Sequence, residues 1–340
     1  MKQKGFFDET DRLQELSMLG DPLEKLNAYI NWEGLRGILT RTLKKESQGL
    51  GGRPPFDYVM MFKILILQKL YNMADDKTEY QIKDRLSFQR FLGLQLCDTV
   101  PDAKTIWHFR EELNKANILD TVFYRFVEQL EEKGIITRSG SIVDATFVDV
   151  PRQRNTKKEN DEIKEGKIPA EWEKEENTHK KAQKDLHARW ATKNKEKHYG
   201  YKNHIKIDKK SKIITKYRTT SAEVHDSQEL KNLIEAGKDK RLYGDSAYTG
   251  KEVQSCIPET VLNRIHEKGY RNHPLTKTQK RNNTAKSRIR ARVEHVFGAI
   301  NHFGGIFIRT IGIKRAEFQI GFMNLAYNMT RYVYIMEAKA

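Results

Sequence analysis

The chain is poor in cysteine and has no long apolar run. Its 340 residues include two cysteines, Cys97 and Cys256, too few for a disulfide framework or a cysteine-based zinc site. The most apolar stretch, 58–70, is interrupted by two lysines and is shorter than the roughly 20 residues that span a bilayer. The opening segment 1–12 lacks the apolar core of a secretory signal. We therefore expect a cytoplasmic protein that does not contact membranes.

The chain has fewer acidic than basic residues. Lys and Arg number 62 against 46 Asp and Glu, which leaves a net charge of +16 and a pI near 9.5. This excess of positive charge favours a polyanionic partner, above all nucleic acid. The 15 Phe, 14 Tyr and 4 Trp supply enough apolar bulk for a packed core, which excludes a chain disordered throughout.

The N-terminal part is predicted to form an all-α domain, 1–135. Three segments there combine helical spacing of apolar residues with suitable residues at their ends: 57–70, 102–114 and 119–134. A breaker cluster at 51–55 precedes Asp57, which suits a helix N-cap. Within the second segment, 105–114 is a candidate recognition helix for DNA, with plain helix packing as the alternative.

Beyond this region strands and helices alternate, which predicts a mixed α/β domain, 136–340. The segments with strand patterns are 141–150, 205–207, 213–219, 241–245 and 260–262. The segments with helix patterns are 223–236, 251–256, 284–301 and 318–335. The segment 157–185 has eight Lys and nine acidic residues, so we expect a charged, solvated insertion at about 151–197.

Three carboxylates stand out by position in this second domain. Asp144 lies in the middle of an apolar strand, where an ionised group loses several kcal/mol of solvation unless it is paired or binds a cation. Asp245 ends a short strand, and ligands tend to bind at the carboxyl ends of strands in α/β sheets. Glu294 lies at the edge of the apolar stripe of a helix, with Arg290 one turn earlier on the same face.

Each carboxylate also has an ordinary structural interpretation. Asp144 and Asp245 suit hydrogen-bonding or turn roles, and Glu294 suits an ion pair with the arginine one turn earlier, worth about 0.3–0.5 kcal/mol. Asp149 and Asp226 are rivals for a role in binding metal. Asp149 follows Asp144 by five residues, an odd offset that directs it to the opposite face of a regular strand.

Five segments of the second domain resemble, in order, the signatures of DDE-class insertion-sequence transposases. They are 142–146, 198–204, 220–227, 243–250 and 287–298. Three segments of the first domain are similar to the helical region of the branch named for insertion sequence five: 52–57, 85–93 and 101–105. Any one of these motifs is a weak signal, but together they cover the chain from about residue 52 to residue 328.

The resemblance implies an RNase H-like catalytic domain and two divalent cations, Mg²⁺ or Mn²⁺. The implied catalytic residues and metal ligands are Asp144, Asp245 and Glu294, with Asp144 bridging both ions. Two such ions stabilise the attacking and leaving oxygens of a phosphodiester displacement. The implied reaction is cleavage at the ends of an insertion element followed by transfer of the 3′-hydroxyl ends into target DNA.

The same resemblance implies double-stranded DNA as partner, namely the terminal inverted repeats and the target. It also implies a homo-oligomer on DNA in a bacterial host, associated with the nucleoid when bound. The N-terminal domain is then expected to bind DNA ends or to oligomerise.

Phosphate contacts are expected near the glutamate helix, because the segment 263–292 has ten Lys or Arg and one acid. The candidate DNA-binding residues are Arg290, Arg288, Arg292, Lys286 and, from the predicted hairpin, Lys202. A solvated basic face is the alternative interpretation of both regions.

The signature of the family around its glutamate is Tyr, two residues, Arg, three residues, Glu, six residues, Lys. Arg290 matches it, whereas Ser287 and Asn301 occupy the Tyr and Lys positions. Three alternatives to a transposase remain open at this point. They are a nuclease of the same fold without strand transfer, a catalytically dead DNA-binding remnant of an element, and an RNA-binding protein.

Overall fold

The fold is given by a computed structural model that describes residues 8–44, 54–193 and 195–339. The chain forms two compact units. The first comprises 1–125 and 324–340, and the second comprises 126–323. The first compact unit thus ends ten residues before the predicted domain boundary at 135, which stays a prediction, and it also includes the C-terminal segment. In the part of the chain described, no helix has the length and apolar character needed to cross a membrane.

The first unit is helical, as predicted. Its N-terminal helices are α1 (Asp8–Met18), α2 (Pro22–Tyr29), α3 (Arg36–Leu43), α4 (Tyr58–Leu70), α5 (Asp75–Asp84), α6 (Leu86–Leu92) and α7 (Ala103–Lys115). The predicted N-caps are confirmed, because Asp57 accepts a hydrogen bond from the Met60 amide at 2.9 Å and Asp102 accepts one from the Thr105 amide at 2.7 Å. The first part of the breaker cluster, 51–53, lies outside the described residues.

Helix α4 is the apolar centre of this unit. Eight of its thirteen residues are buried, which explains why its sequence is apolar on nearly all sides. One polar network ties the surrounding helices together. Arg110 on α7 makes two 2.7 Å contacts with the Asp75 carboxylate at the start of α5, and Gln68 on α4 donates to the same carboxylate at 2.7 Å.

The second unit contains the sheet. Its elements follow here in chain order, and the first and last of them, α8 and α14, each have residues in both units. They are α8 (Leu119–Glu132), β1 (Ser141–Asp149), α9 (Lys157–Lys164), α10 (Thr178–Gln183), β2 (Arg189–Lys193), β3 (Glu196–Asp208), β4 (Ile214–Ser221), α11 (Leu230–Leu233), β5 (Arg241–Tyr243), α12 (Lys251–Ser255), β6 (Leu262–Asn263), α13 (Lys277–His302) and α14 (Ile313–Glu337).

Within the described residues the sheet has six strands, in the order β2-β3-β1-β5-β6, with β4 also paired to β3. Strand β3 is antiparallel to β1, β2 and β4, whereas β5 is parallel to both β1 and β6. Apolar clusters lie around Val143 and around Val148 of β1, and these two residues point to opposite faces of the strand. The mixed α/β class that the sequence predicts is confirmed.

Two predicted elements have different limits in the structure. The glutamate helix begins at Lys277, seven residues before the predicted start, because Thr276 and Gln279 form a capping box there. The charged segment ends earlier than expected, because Arg189–Lys193 pairs with β3 as strand β2.

The predicted helix 223–236 is wrong as a continuous element. Only a 3-10 turn, Asp226–Glu229, and the single turn α11 form there. The reason is a buried cation that the sequence pattern does not reveal. Lys206 on β3 is fully buried and contacts Glu235 at 2.7 Å and Asp239 at 2.8 Å. These two long-range ion pairs hold the chain after α11 in a non-helical path.

Candidate active site

Asp144 lies on β1, and Asp245 follows the neighbouring parallel strand β5 by two residues. The two strands pair with Ile142 opposite Tyr243, two residues before each acid, and the charge of Asp245 is near enough to act on Asp144. A Cβ atom at Gly244 would come within 3.2 Å of side-chain atoms on both sides. The glycine before Asp245 therefore permits the close approach of the two strands.

Asp144 is buried in the centre of the sheet and has a hydrogen-bond partner for each oxygen. Its Oδ1 accepts from the Ala145 amide at 2.9 Å, and its Oδ2 lies 2.6 Å from Nη1 of Arg290. Burial raises the pKa of Asp144 to about 6, and the nearby charge of Asp245 acts in the same direction. The Ala145 amide and the Arg290 guanidinium oppose this rise in pKa without cancelling it.

Arg290 joins Asp144 to Glu294. Its second terminal nitrogen, Nη2, lies 2.7 Å from Oε1 of Glu294. Three apolar residues of α13 are buried and fix which side of the helix faces the sheet: Val293, Val296 and Ile300. The Glu294 side chain is 60% exposed, whereas that of Asp144 is 10% exposed. One guanidinium thus holds a buried and an exposed carboxylate from distant parts of the sequence.

Asp245 caps the turn that follows β5. Its Oδ1 accepts from the Ala247 amide at 2.8 Å, at the start of the 3-10 turn Ser246–Tyr248. This hydrogen bond orients the carboxylate at the strand end and leaves its other oxygen without a donor among the described residues.

Tyr248 is a member of this site that sequence reasoning did not assign. Its ring is buried, and its hydroxyl has no hydrogen-bond partner among the described residues. Burial raises the pKa of the hydroxyl well above its usual range, and the charges of Asp144, Asp226 and Asp245 raise it further. The only available signal was its place three residues after Asp245 in the 243–250 motif.

The two rival carboxylates have other partners. Strand β1 keeps a regular register with β3 through all nine of its residues, so Asp149 points to the face opposite Asp144. Asp149 lies 3.4 Å from His198, and Asp226 lies 2.7 Å from Lys202.

Three of the candidate DNA-binding residues of α13 differ in whether they bind other parts of the protein. Arg288 is exposed and has no charged partner among the described residues. Arg292 donates to the backbone oxygen of Lys209 at 2.6 Å. Lys286 donates to a backbone oxygen of the preceding loop at 2.9 Å and lies 3.3 Å from Glu267. Of these three candidates, Arg288 is therefore the one without an ionic or backbone anchor among the described residues, whereas Arg292 and Lys286 are anchored.

Lys202 differs from the predicted DNA contact. It is buried on β3 and donates to the backbone oxygen of Val224 and to Asp226, both at 2.7 Å. Its ammonium also lies 5.1 Å from the ring centroid of Phe147. Because Lys202 faces these partners rather than solvent, we correct its assignment from a DNA contact to an internal ion pair.

The three carboxylates suit a hard divalent cation in chemistry but not in their present spacing. Carboxylate oxygens are preferred ligands of Mg²⁺ and Mn²⁺. Within the described ranges, no group of three His, Cys, Asp or Glu side chains is close enough together to hold a metal ion. The Arg290 guanidinium contacts both Asp144 and Glu294, so a cation bound by these two carboxylates would take the place of its positive charge.

Two models of known protein families match the sequence of this chain. A family model described as Transposase domain (DUF772) matches residues 11–112. A second model, described as Transposase DDE domain, matches residues 136–329, more than half of the chain. The chain belongs to the DDE transposase family. This confirms the resemblance seen in the sequence, whereas the branch named for insertion sequence five stays a prediction. None of the solved structures compared with this transposase matches it.

Membership in the family has direct consequences for function. DDE transposases act on DNA as enzymes of transposition, and they typically use divalent metal ions. Asp144, Asp245 and Glu294 all fall inside the matched catalytic region, as does Arg290.

Proposed function

We propose that this transposase cuts DNA at the ends of a bacterial insertion element in a cation-dependent reaction and joins the 3′-hydroxyl ends to target DNA. The observation that carries the proposal is the link from Asp144 through Arg290 to Glu294, at 2.6 and 2.7 Å. The charge of the third acid, Asp245, lies near enough to Asp144 to raise its pKa, so acids from distant parts of the sequence meet in one region. Such convergence favours a catalytic site over three independent structural roles.

An RNase H-like fold is part of the proposal. The antiparallel strands β1, β3 and β4 continue through β1 into the parallel strands β5 and β6. Helix α13 contacts β1 and β5. This topology supports a catalytic sheet with one acid on a central strand, one at the next strand end and one on a covering helix.

Asp144, Asp245 and Glu294 are the proposed ligands of two Mg²⁺ or Mn²⁺ ions. When bound, these ions polarise the scissile phosphate and stabilise both the attacking and the leaving oxygen. The surrounding residues of the chain position the three carboxylates. Asp144 is held rigidly by the central strand, Asp245 is oriented by the Ala247 amide, and Glu294 is exposed enough to change rotamer.

Arg290 has two states in this proposal. Without ligands it compensates the charges of Asp144 and Glu294. A DNA phosphate offers the guanidinium an equivalent bidentate partner, which frees both carboxylates. Arg288, Arg292 and Lys286 are proposed to hold neighbouring phosphates along α13.

The first unit is proposed to bind the terminal repeats or to oligomerise. Within it the predicted recognition segment 105–114 falls on α7, where Trp107 is 49% exposed. Because an element has two ends, we propose that at least two copies of the chain act together, one at each end.

The test uses DNA that carries the genomic ends of the element encoding this chain. We expect cleavage at the element boundary with Mg²⁺ or Mn²⁺ and none with EDTA. A second substrate with pre-nicked ends supplies the 3′-hydroxyl directly, and we expect these ends to be joined to a target plasmid. Cleavage without joining would identify a nuclease, and end binding without either reaction would identify an inactive remnant.

A further inference from the structure

A cavity of about 890 Å³ borders the candidate active site. It lies between the end of β5, the loop 263–270 and the first half of α13. Tyr243, two residues before Asp245, and Ile289, directly before Arg290, both line it.

The cavity has an excess of uncompensated positive charge. Four cations line it: Arg241, Arg264, Lys268 and Lys286. Its one acidic residue, Glu267, lies 3.3 Å from Lys286 and compensates that lysine. Within the described residues, the other three cations have no carboxylate partner, and all three are exposed. This pattern favours a ligand with several negative charges.

The walls of the cavity are held in place by hydrogen bonds to α13. His266 is buried, and its Nε2 lies 3.0 Å from the Ser287 hydroxyl. Glu267 exchanges two backbone hydrogen bonds with the Asn283 side chain, at 3.0 and 2.9 Å. Ser287 occupies the position where the family signature has a tyrosine, so in this chain that position anchors the cavity wall. A cavity formed in advance binds its ligand at lower entropic cost.

The shape and the aromatic lining of the cavity favour an unpaired strand over a duplex. Its volume is in the range of small-ligand sites, roughly 300–1,000 Å³, which suits a few nucleotides. The Tyr270 ring lines it and is 61% exposed. Base faces can stack on such a ring only when they are not enclosed within a duplex.

We propose that this cavity binds a short unpaired segment of DNA next to the scissile phosphate. Arg241, Arg264 and Lys268 contact its phosphates, and Tyr270 stacks on a base. The inference rests on the proposed function, because cleavage at an element end is what brings DNA to this position, and it adds that the strand next to the cut is unpaired there.

Fluorescence polarisation with a short labelled oligothymidylate tests the proposal without requiring catalysis. For the double variant Arg264→Ala/Lys268→Ala we expect about tenfold weaker single-strand binding and a salt dependence reduced by roughly 0.7 per lost phosphate contact. For Tyr270→Ala we expect about fivefold weaker binding with the salt dependence unchanged. The matched control is Lys157→Ala, an exposed lysine at the start of α9, which should bind like the parent.

Thermal unfolding of each variant verifies that the fold is kept, since all substituted side chains are exposed. Single-strand affinities equal to that of the parent would overturn the proposal. An equal loss of duplex affinity would do the same, because it would indicate a general basic surface. A parent that binds the oligothymidylate but never cleaves DNA refutes the proposed function alone, whereas a parent that cleaves with unaffected cavity variants refutes the cavity alone.

Discussion

Among single residues, Arg290 is the one that links two carboxylates of the candidate site. Its guanidinium is 26% exposed and contacts both Asp144 and Glu294. In the proposed function, a divalent cation competes with this guanidinium for the same carboxylates. DNA and cations should therefore bind with positive coupling, because a phosphate that attracts Arg290 away releases the carboxylates, and linkage makes the effect reciprocal.

Replacement of Arg290 should raise the affinity for Mn²⁺ when no DNA is present. We expect about fivefold tighter binding for Arg290→Ala, equivalent to about 1 kcal/mol of released ion pairing. Calorimetric titration at pH 8 measures it, where Asp144, with its pKa of about 6, is ionised. Arg288→Ala on the same helix is the control and should match the parent. Equal or weaker Mn²⁺ binding by Arg290→Ala would exclude competition.

Tyr248 provides a second prediction for a single side chain. Because its buried hydroxyl has no partner among the described residues, Tyr248→Phe should leave the free energy of unfolding unchanged or raise it by about 1 kcal/mol. Tyr201→Phe is the matched contrast, since the Tyr201 hydroxyl donates to Asp185 at 2.6 Å, and it should lose about 1–2 kcal/mol. Urea unfolding compares the two, and equal losses would contradict this view of Tyr248.

Among secondary-structure elements, strand β3 holds a distant segment of the chain in place through one buried lysine. Its Lys206 is fully buried and binds Glu235 and Asp239. Ser141 of β1 also donates to Asp239, at 2.6 Å. A buried cation is tolerated only with such complete compensation. This network fixes the segment between α11 and β5, and hence the strand that ends two residues before Asp245.

The network predicts a pH dependence of stability. Burial disfavours ionisation of Glu235, but Lys206 and Arg138 outweigh it and lower its pKa from its ordinary value of 4.5 to about 2. A lowered acid pKa stabilises the fold above pH 4.5, and this stabilisation is lost as the pH falls towards 2. Glu235→Gln should therefore lose roughly 2 kcal/mol at pH 7, after allowance for solvent screening, and almost nothing near pH 2.

Urea unfolding across this pH range measures the effect. Glu223→Gln is the control, because that carboxylate is exposed and only weakly paired with Arg189 at 3.4 Å. A loss of stability for Glu235→Gln that does not vary with pH would contradict the assigned ion pairs.

Local signals in the sequence were sufficient for much of the element structure. Asp57 and Asp102 were predicted as N-caps because short-range hydrogen bonds determine such positions. The strand that carries Asp144 was predicted from its apolar, β-branched run. The odd offset to Asp149 then directed that residue to the other face, because the strand remains regular.

Long-range contacts explain what could not be predicted. The register that brings Asp245 to Asp144 depends on a three-residue strand, whose own sequence does not specify its neighbour. Lys202 was expected on the surface, because a charge run does not reveal that Asp226 will cover it. The contact between Arg290 and Asp144 spans 146 residues, beyond the reach of any periodicity argument.

For the whole molecule, the two family models and the net charge indicate one enzyme acting on DNA. The transposase models match 11–112 and 136–329 separately, and the chain carries a net charge of +16. Phosphate contacts alone would make binding strongly dependent on salt without specifying sequence. Cation-dependent chemistry at one defined position is therefore what separates a transposase from a general DNA-binding protein.

Cation-dependent cleavage at the element ends, measured for isosteric variants of the three acids, tests the central claim most directly. We predict that Asp144→Asn, Asp245→Asn and Glu294→Gln each reduce the cleavage rate by about a hundredfold or more while retaining affinity for the ends. Asp149→Asn, on the other face of the same strand, should cleave like the parent. Parental cleavage rates in any one of the three acid variants would contradict the claim that these carboxylates act together.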